Sequence, residues 1–144
     1  MNRIVGALGI LTLVGLLAGF AAERGGAEEE SVRQTVQYYI DGQAAGDGTI
    51  IARAFHPDAH MTGLRDGAIS RVPISQYVTW FRGEPAADEA QRERWIESVD
   101  VVGDAAIAKV VLDYPGVRFT DWMSLLKVDG QWKIVHKNYT AQPK

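Results

Sequence analysis

The stretch from Phe119 to Tyr139, FTDWMSLLKVDGQWKIVHKNY, carries the side chains best suited to chemistry: Asp121, His136, Lys137 and Asn138. An imidazole beside a carboxylate makes a general-base pair, because the carboxylate orients the ring and raises its basicity for taking a proton or activating water. Asp121 and His136 are therefore the candidate catalytic residues. The plainer reading is a histidine and an aspartate that satisfy each other and nearby backbone groups, since structural ion pairs perturb titration too.

Whether these groups meet depends on register. Asp129-Gly130 predicts a two-residue hairpin turn, because both central positions need positive φ. Counting outward, Lys127 opposes Trp132, Leu125 opposes Ile134, Met123 opposes His136 and Asp121 opposes Asn138, all on one face. That face is an apolar wall of Met123, Leu125, Trp132 and Ile134 ending in a polar group, the usual composition of a ligand pocket. The other face carries Trp122, Val135, Lys137 and Tyr139. A single bulge in either strand exchanges the faces and brings Trp122, Lys137 and Tyr139 inside. In the regular register Asp121 and Lys137 point to opposite faces and amount to a surface salt bridge, worth ~0 to 1 kcal/mol.

The elements that position this hairpin follow from periodicity and turn chemistry. Ser31-Val32-Arg33-Gln34 has the form of a capping box and predicts a helix start, with Val32, Val36, Tyr39, Ile40 and Gln43 as its buried stripe and Gly46 as its stop. Asp47 caps a shorter helix through Ile50, Ile51, Ala54 and Phe55, which Pro57 closes, with His56 and Asp58 capping the chain beyond it. His60–Leu64 and Ala68–Arg71 read as strands joined across Asp66-Gly67, and ISQYVTWF, from Ile74, as a third short helix. Gly83–Ala90 reads as a loop. Arg92–Val102 and Ala105–Tyr114 read as long strands turning at Gly103-Asp104, which places Trp95 opposite Leu112, Arg94 opposite Asp113 as a structural pair, and Glu97 opposite Val110.

Helices early and meandering strands late predict an α+β domain, with a curved antiparallel sheet wrapped around N-terminal helices. Residues 28–144 fit one such domain within a chain of 144 residues. Met1-Asn2-Arg3 followed by the uncharged run Ile4–Ala22 reads as a signal peptide over residues 1–27, with cleavage points after Ala21 or Ala27. The run is close to the ~20 residues that span a bilayer, so an uncleaved anchor is the alternative and the membrane's one point of attachment. Either way the folded part lies outside the cytoplasm, periplasmic or secreted.

Fifteen Lys and Arg stand against 18 Asp and Glu, interleaved along the chain, so no basic stripe exists for a nucleic acid. Cysteine is absent, which excludes a thiol nucleophile, a redox pair and a cysteine zinc site. Three histidines, His56, His60 and His136, accompany Asp58 without HExxH or comparable spacing, and neither metal nor cofactor is expected.

The element order, Phe55-His56-Pro57-Asp58-Ala59, the Asp66-Gly67 turn and Trp132-Lys133-Ile134-Val135 together resemble the nuclear transport factor 2-like superfamily. Thr120 to Lys137 resembles, within it, the family labelled "Putative lumazine-binding". The resemblance implies a cone-shaped fold with a pocket at its wide end, and a homodimer through the outer sheet face, for which Trp122, Tyr139 and Val135 are suited. Members include ketosteroid isomerase, scytalone dehydratase and SnoaL-like polyketide cyclases, alongside pocket proteins without a known reaction.

The expected pocket residues are Tyr39, Phe55, Met61, Tyr77 and Trp80, from the elements that cover the sheet, with Met123, Trp132 and Asn138 from the hairpin. The leading expectation is an exported, non-catalytic protein that binds a small apolar or aromatic ligand. An isomerase, dehydratase or cyclase using an Asp/His proton-transfer pair is the second. A dimeric adaptor module with a closed core is the third.

Overall fold

The computed structural model describes residues 10–144. The charged start of the expected leader and the first part of its apolar run lie outside the described residues. Among the described residues no helix is long and apolar enough to cross a membrane.

Helix α1 (Ile10–Ala45) runs without interruption past the expected start at Ser31. The capping-box reading is thus corrected: Ser31 sits inside the helix, and its hydroxyl donates to the Ala27 carbonyl four residues back at 2.9 Å. The reason is local. Ala27 to Glu30 are strong helix formers with no proline, so the helix is already under way and a serine there turns back on the previous turn. Gly46, at φ 63°, stops it in the left-handed region that glycine adopts freely. Asp47 then caps α2 (Gly48–Ala54), accepting from the Thr49 amide at 2.7 Å.

Strands β1 (Phe55–Arg65) and β2 (Ala68–Pro73) form the first hairpin. A short helix α3 (Ile74–Tyr77) continues as a 3-10 turn to Trp80. Then come β3 (Glu93–Val102), β4 (Ala105–Tyr114), β5 (Val117–Val128) and β6 (Gln131–Pro143). They make one sheet in the order β2-β1-β6-β5-β4-β3. Every pairing is antiparallel except β1 with β6, which is parallel and joins the early hairpin to the late meander. The concave face closes over α1. Val110, Met123, Leu125 and Ile134 pack against Val32, Val36 and Tyr39, and each fully buried aliphatic side chain contributes ~1.5 to 3 kcal/mol.

Both long hairpins depart from regular pairing, and this sets the site. In β5–β6 the turn at Asp129-Gly130 holds the expected pairs as far as Leu125 with Ile134. Val135 is then an extra residue, so Ser124 opposes His136, Met123 opposes Lys137 and Asp121 opposes Tyr139. In β3–β4 Glu97 is the extra residue, so Arg94 opposes Leu112 and Trp95 opposes Val111. The expected pairs Arg94 with Asp113, Trp95 with Leu112 and Glu97 with Val110 are corrected accordingly. A bulge places two successive side chains on one face and bends the strand, as a sheet that curls around a helix requires.

Candidate functional site

The cone is not filled at its wide end. A cavity of about 280 Å³ remains there, with Tyr39, Met61, Tyr77, Trp80 and Asp121 among its lining residues. It is small beside the ~300 to 1,000 Å³ of typical ligand sites. Its other lining residues include Gln43, Arg65, Tyr114, Phe119, Lys137 and Tyr139.

The polar group at its floor is Tyr39, Asp121 and Lys137. The Tyr39 hydroxyl donates to Asp121 Oδ2 at 2.7 Å, and the Lys137 ammonium donates to Tyr39 Oη at 2.9 Å and to Asp121 Oδ2 at 3.2 Å. Asp121 is 1% and Lys137 4% exposed. Lys137 is also ringed by aromatic faces: its Nζ lies 5.0, 5.2 and 5.4 Å from the centroids of Tyr39, Tyr77 and Tyr139. All the bonds to the carboxylate fall on Oδ2. Asp121 Oδ1 is buried without a hydrogen-bond partner.

Each element contributes for a local reason. Tyr39 lies on the buried stripe of α1, and Phe55, at the start of β1, meets it edge to face at 5.8 Å. Met61 pairs with Lys137 across the parallel β1–β6 ladder. Tyr139 lies against Gly63, where a Cβ would fall 2.5 Å from the ring, so only glycine lets the tyrosine approach that strand. Tyr77 and Trp80 meet edge to face at 5.4 Å after α3. A second polar chain braces the wall. Arg94 donates to the Tyr114 hydroxyl at 2.9 Å, Tyr114 to Gln43 Oε1 at 3.4 Å, and the Gln43 amide to Tyr77.

The electrostatics follow from burial and pairing. Burial opposes the charge on Lys137, but the Asp121 carboxylate together with Tyr77 and Tyr139 outweighs it, and the lysine is raised above its ordinary value. Burial, then the Asp121 charge, push Tyr39 well above the usual tyrosine range, which keeps its proton available as a donor. Burial raises Tyr77 as well.

The expected site residues separate. Asp121 and His136 do not meet: the bulge turns His136 to the outer face, where its Nε2 bonds Asn138 Oδ1 at 2.9 Å. Asn138 is exposed there, opposite Trp122, and lines no cavity with Asp121. Met123 is completely buried in the core. Phe55 lies behind Tyr39 within the same core. Trp132 belongs to the narrow end, where its Nε1 donates to Glu28 at 2.8 Å and the same carboxylate meets Lys127 at 2.5 Å. Asp121 and Lys137 share the inner face and are buried, so the surface salt bridge is corrected too. His56 Nδ1 accepts from the Asp58 amide at 3.2 Å, at the start of β1. Among the described residues no three His, Asp or Glu side chains gather as a metal site requires.

Lys137, Arg65 and Tyr114 were not expected to share a cavity. A signal for Lys137 existed, since the bulged alternative for β6 names it. Arg65 follows Met61 and Gly63 by strand alternation, one face of β1. Tyr114 needed the placement of β4 against α1, which no local pattern supplies.

Residues 27–140 match the model of the family described as "Putative lumazine-binding". A protein named Aldolase FrzH, from Cladobotryum sp, is 25% identical over 120 residues, covering 82% of this chain and 94% of that protein. A solved nuclear transport factor 2-like protein of unknown function from Shewanella baltica is 30% identical, with a TM-score of 0.74 over 82% of this chain and 96% of its own. The association domain of CaMKII from C. elegans, 19% identical, shares the fold with a TM-score of 0.61 over 82% of this chain and 98% of its own.

Proposed function

The chain belongs to the "Putative lumazine-binding" family of nuclear transport factor 2-like proteins, and on that premise we propose that it is an exported protein holding a small, largely apolar ligand in the wide-end cavity. One observation carries this reading: an aromatic-lined cavity stands over a buried ion pair. Such a pair contributes little to stability compared with apolar packing of the same volume, so its presence beneath an open cavity is better explained by an occupant. Mass spectrometry of extracts from the purified protein tests it. A small molecule should be recovered from the wild type and lost in the cavity-filling variant Met61→Trp. Equal recovery from both, or nothing from either, counts against the reading.

A second reading is catalytic, and Asp121 Oδ1 favours it, as a buried carboxylate oxygen left without a partner. In it Asp121 takes a proton from the carbon next to a ligand carbonyl, and the electron pair of the broken C–H bond moves onto the carbonyl oxygen. Lys137, with three N–H donors of which two are engaged, holds that oxygen. Proton transfer beside a carbonyl is also what opens an aldol reaction, the activity in the name of the relative from Cladobotryum. The test is exchange of the α-hydrogens of 4-phenyl-2-butanone in D2O, followed by NMR. Exchange faster than in buffer, abolished by Asp121→Asn, supports it; a rate equal to buffer sinks it.

A homodimer through the outer sheet face completes the proposal. Ile107, Trp122 and Leu126 are 57%, 43% and 43% exposed on that face, an apolar patch suited to a second copy. Light scattering should give twice the chain mass, falling to one in Trp122→Asp. Export is tested by N-terminal sequencing of protein from the periplasm or medium, which should begin after Ala21 or Ala27.

A further inference from the structure

We infer that the cavity takes an organic monoanion, a carboxylate on an aromatic or apolar body, and that Arg65 at the cavity's edge receives the carboxylate. This rests on the reading of the cavity as a ligand site. Strand alternation along β1 puts Met61, Gly63 and Arg65 on one face, and that face is the cavity's, since Met61 pairs with Lys137 and Gly63 lies under Tyr139. Arg65 lines the cavity while remaining exposed, so it stands at the boundary between the cavity and the solvent.

Charge decides what it is for. Three charged side chains line the cavity: Arg65, Lys137 and Asp121. Asp121 and Lys137 neutralise each other at 3.2 Å, which leaves one uncompensated positive charge, that of Arg65. Arg33, Arg92, Arg94 and Arg118 hold Glu29, Asp88, Glu89 and Asp113; among the described residues Arg53, Arg71 and Arg82 also form no ion pair, but none of them lines the cavity as Arg65 does. Among the described residues no ion pair or side-chain hydrogen bond engages Arg65, including any with Asp66 beside it in the hairpin turn. A guanidinium with its donors free presents a planar fork that fits a carboxylate in two parallel bonds.

The walls decide the rest of the ligand. Two edge-to-face aromatic pairs line the cavity, Tyr77 with Trp80 and Tyr114 with Phe119 at 5.9 Å. Leu112 and Met61 lie among them. A flat apolar body fits such walls, and the cavity's about 280 Å³ keeps it small. A cationic ligand would meet the uncompensated charge of Arg65 at the edge and is repelled by it, since the pair at the floor is neutral.

The experiment compares three probes of one shape: 3-phenylpropanoate, 3-phenylpropanamide and 3-phenylpropylammonium. Each is titrated into the purified protein while the Trp80 indole N–H and backbone amides of β1 are followed by NMR. The carboxylate should bind about tenfold tighter than the amide, the scale of one charge-assisted pair, and the ammonium ion should shift nothing. Arg65→Gln should bring the carboxylate down to the amide, with Arg65→Lys recovering part of the difference. Because Arg65 is exposed, both variants should melt with the wild type. Equal binding of carboxylate and amide, or a preference that survives Arg65→Gln, overturns the anion assignment and leaves the cavity reading standing. If none of the probes shifts a cavity signal, the cavity reading fails and this inference with it.

Discussion

The hairpins β3–β4 and β5–β6 are built alike and end in different chemistry. Each has a two-residue turn, and each inserts one extra residue into one strand, Glu97 or Val135. Beyond each bulge a cation faces the concave side, Arg94 or Lys137. Arg94, whose side chain is buried, meets the half-buried Glu89 through two bonds, at 2.6 and 2.8 Å, and both carboxylate oxygens are used. Lys137 meets Asp121 through one oxygen, in the interior, with the other oxygen left over. The same backbone device therefore makes a brace in one hairpin and the floor of a cavity in the other. The difference lies in how completely the partner carboxylate is satisfied.

The sharpest break in that comparison is Lys137→Met against Arg94→Met. Removing Lys137 strands a buried carboxylate and should cost about 3 to 5 kcal/mol in urea denaturation, largely recovered in the double variant Asp121→Asn with Lys137→Met. Losing Arg94, whose partner Glu89 can rehydrate, should cost less, about 1.5 to 3 kcal/mol, the scale of hydrogen bonds to a charged group. Equal losses would erase the distinction. Tyr39→Phe removes one bond to the Asp121 carboxylate and should fall at the lower end of that same range, with the fold unchanged.

Titration separates the hairpins from opposite ends of the pH scale. Lys137 is raised above an ordinary lysine, so its stabilisation is complete below the unfolded lysine's pKa and is lost as pH rises through the folded one. Alkaline destabilisation should be steep in the wild type and flatter in Lys137→Met. Asp113, on β4, is lowered to about 2 by its bonds to Arg118 and Lys144. Its stabilisation is present above the unfolded aspartate value of about 3.9 and is lost as pH falls toward the folded one. This is the smallest of the expected effects, because the partners Arg118 and Lys144 are exposed and solvent screens the pairs. Urea midpoints between pH 5 and 2 should fall less in Arg118→Gln than in the wild type.

Much of the architecture was legible because it rests on local chemistry. Asp129-Gly130, Asp66-Gly67 and Gly103-Asp104 each specify a tight turn, and in the structure Asp66, Asp129 and the three glycines all have positive φ. The stripe Val32, Val36, Tyr39 and Ile40 specifies the buried face of α1. Even so, Ser31 read as a helix start because a capping sequence looks the same inside a helix as at its end. Only the chain before it decides which applies.

The site was less legible, and the reason is the bulge. Asp121, Tyr39, Tyr77, Met61 and Trp80 were named from the sequence and line the cavity together. His136 and Asn138 were named with them and lie outside it, because one unpaired residue reverses the alternation of everything beyond it. A strand's sequence does not record where its partner skips a residue. That is settled by how tightly the sheet must curl around α1, which is a property of the closed cone. Turn positions, helix stripes and the family's hairpin thus belong to the sequence by itself, through φ preference and periodicity. That Lys137, and not His136, stands beside Asp121 belongs to the tertiary structure, through the curvature that places Val135 out of register.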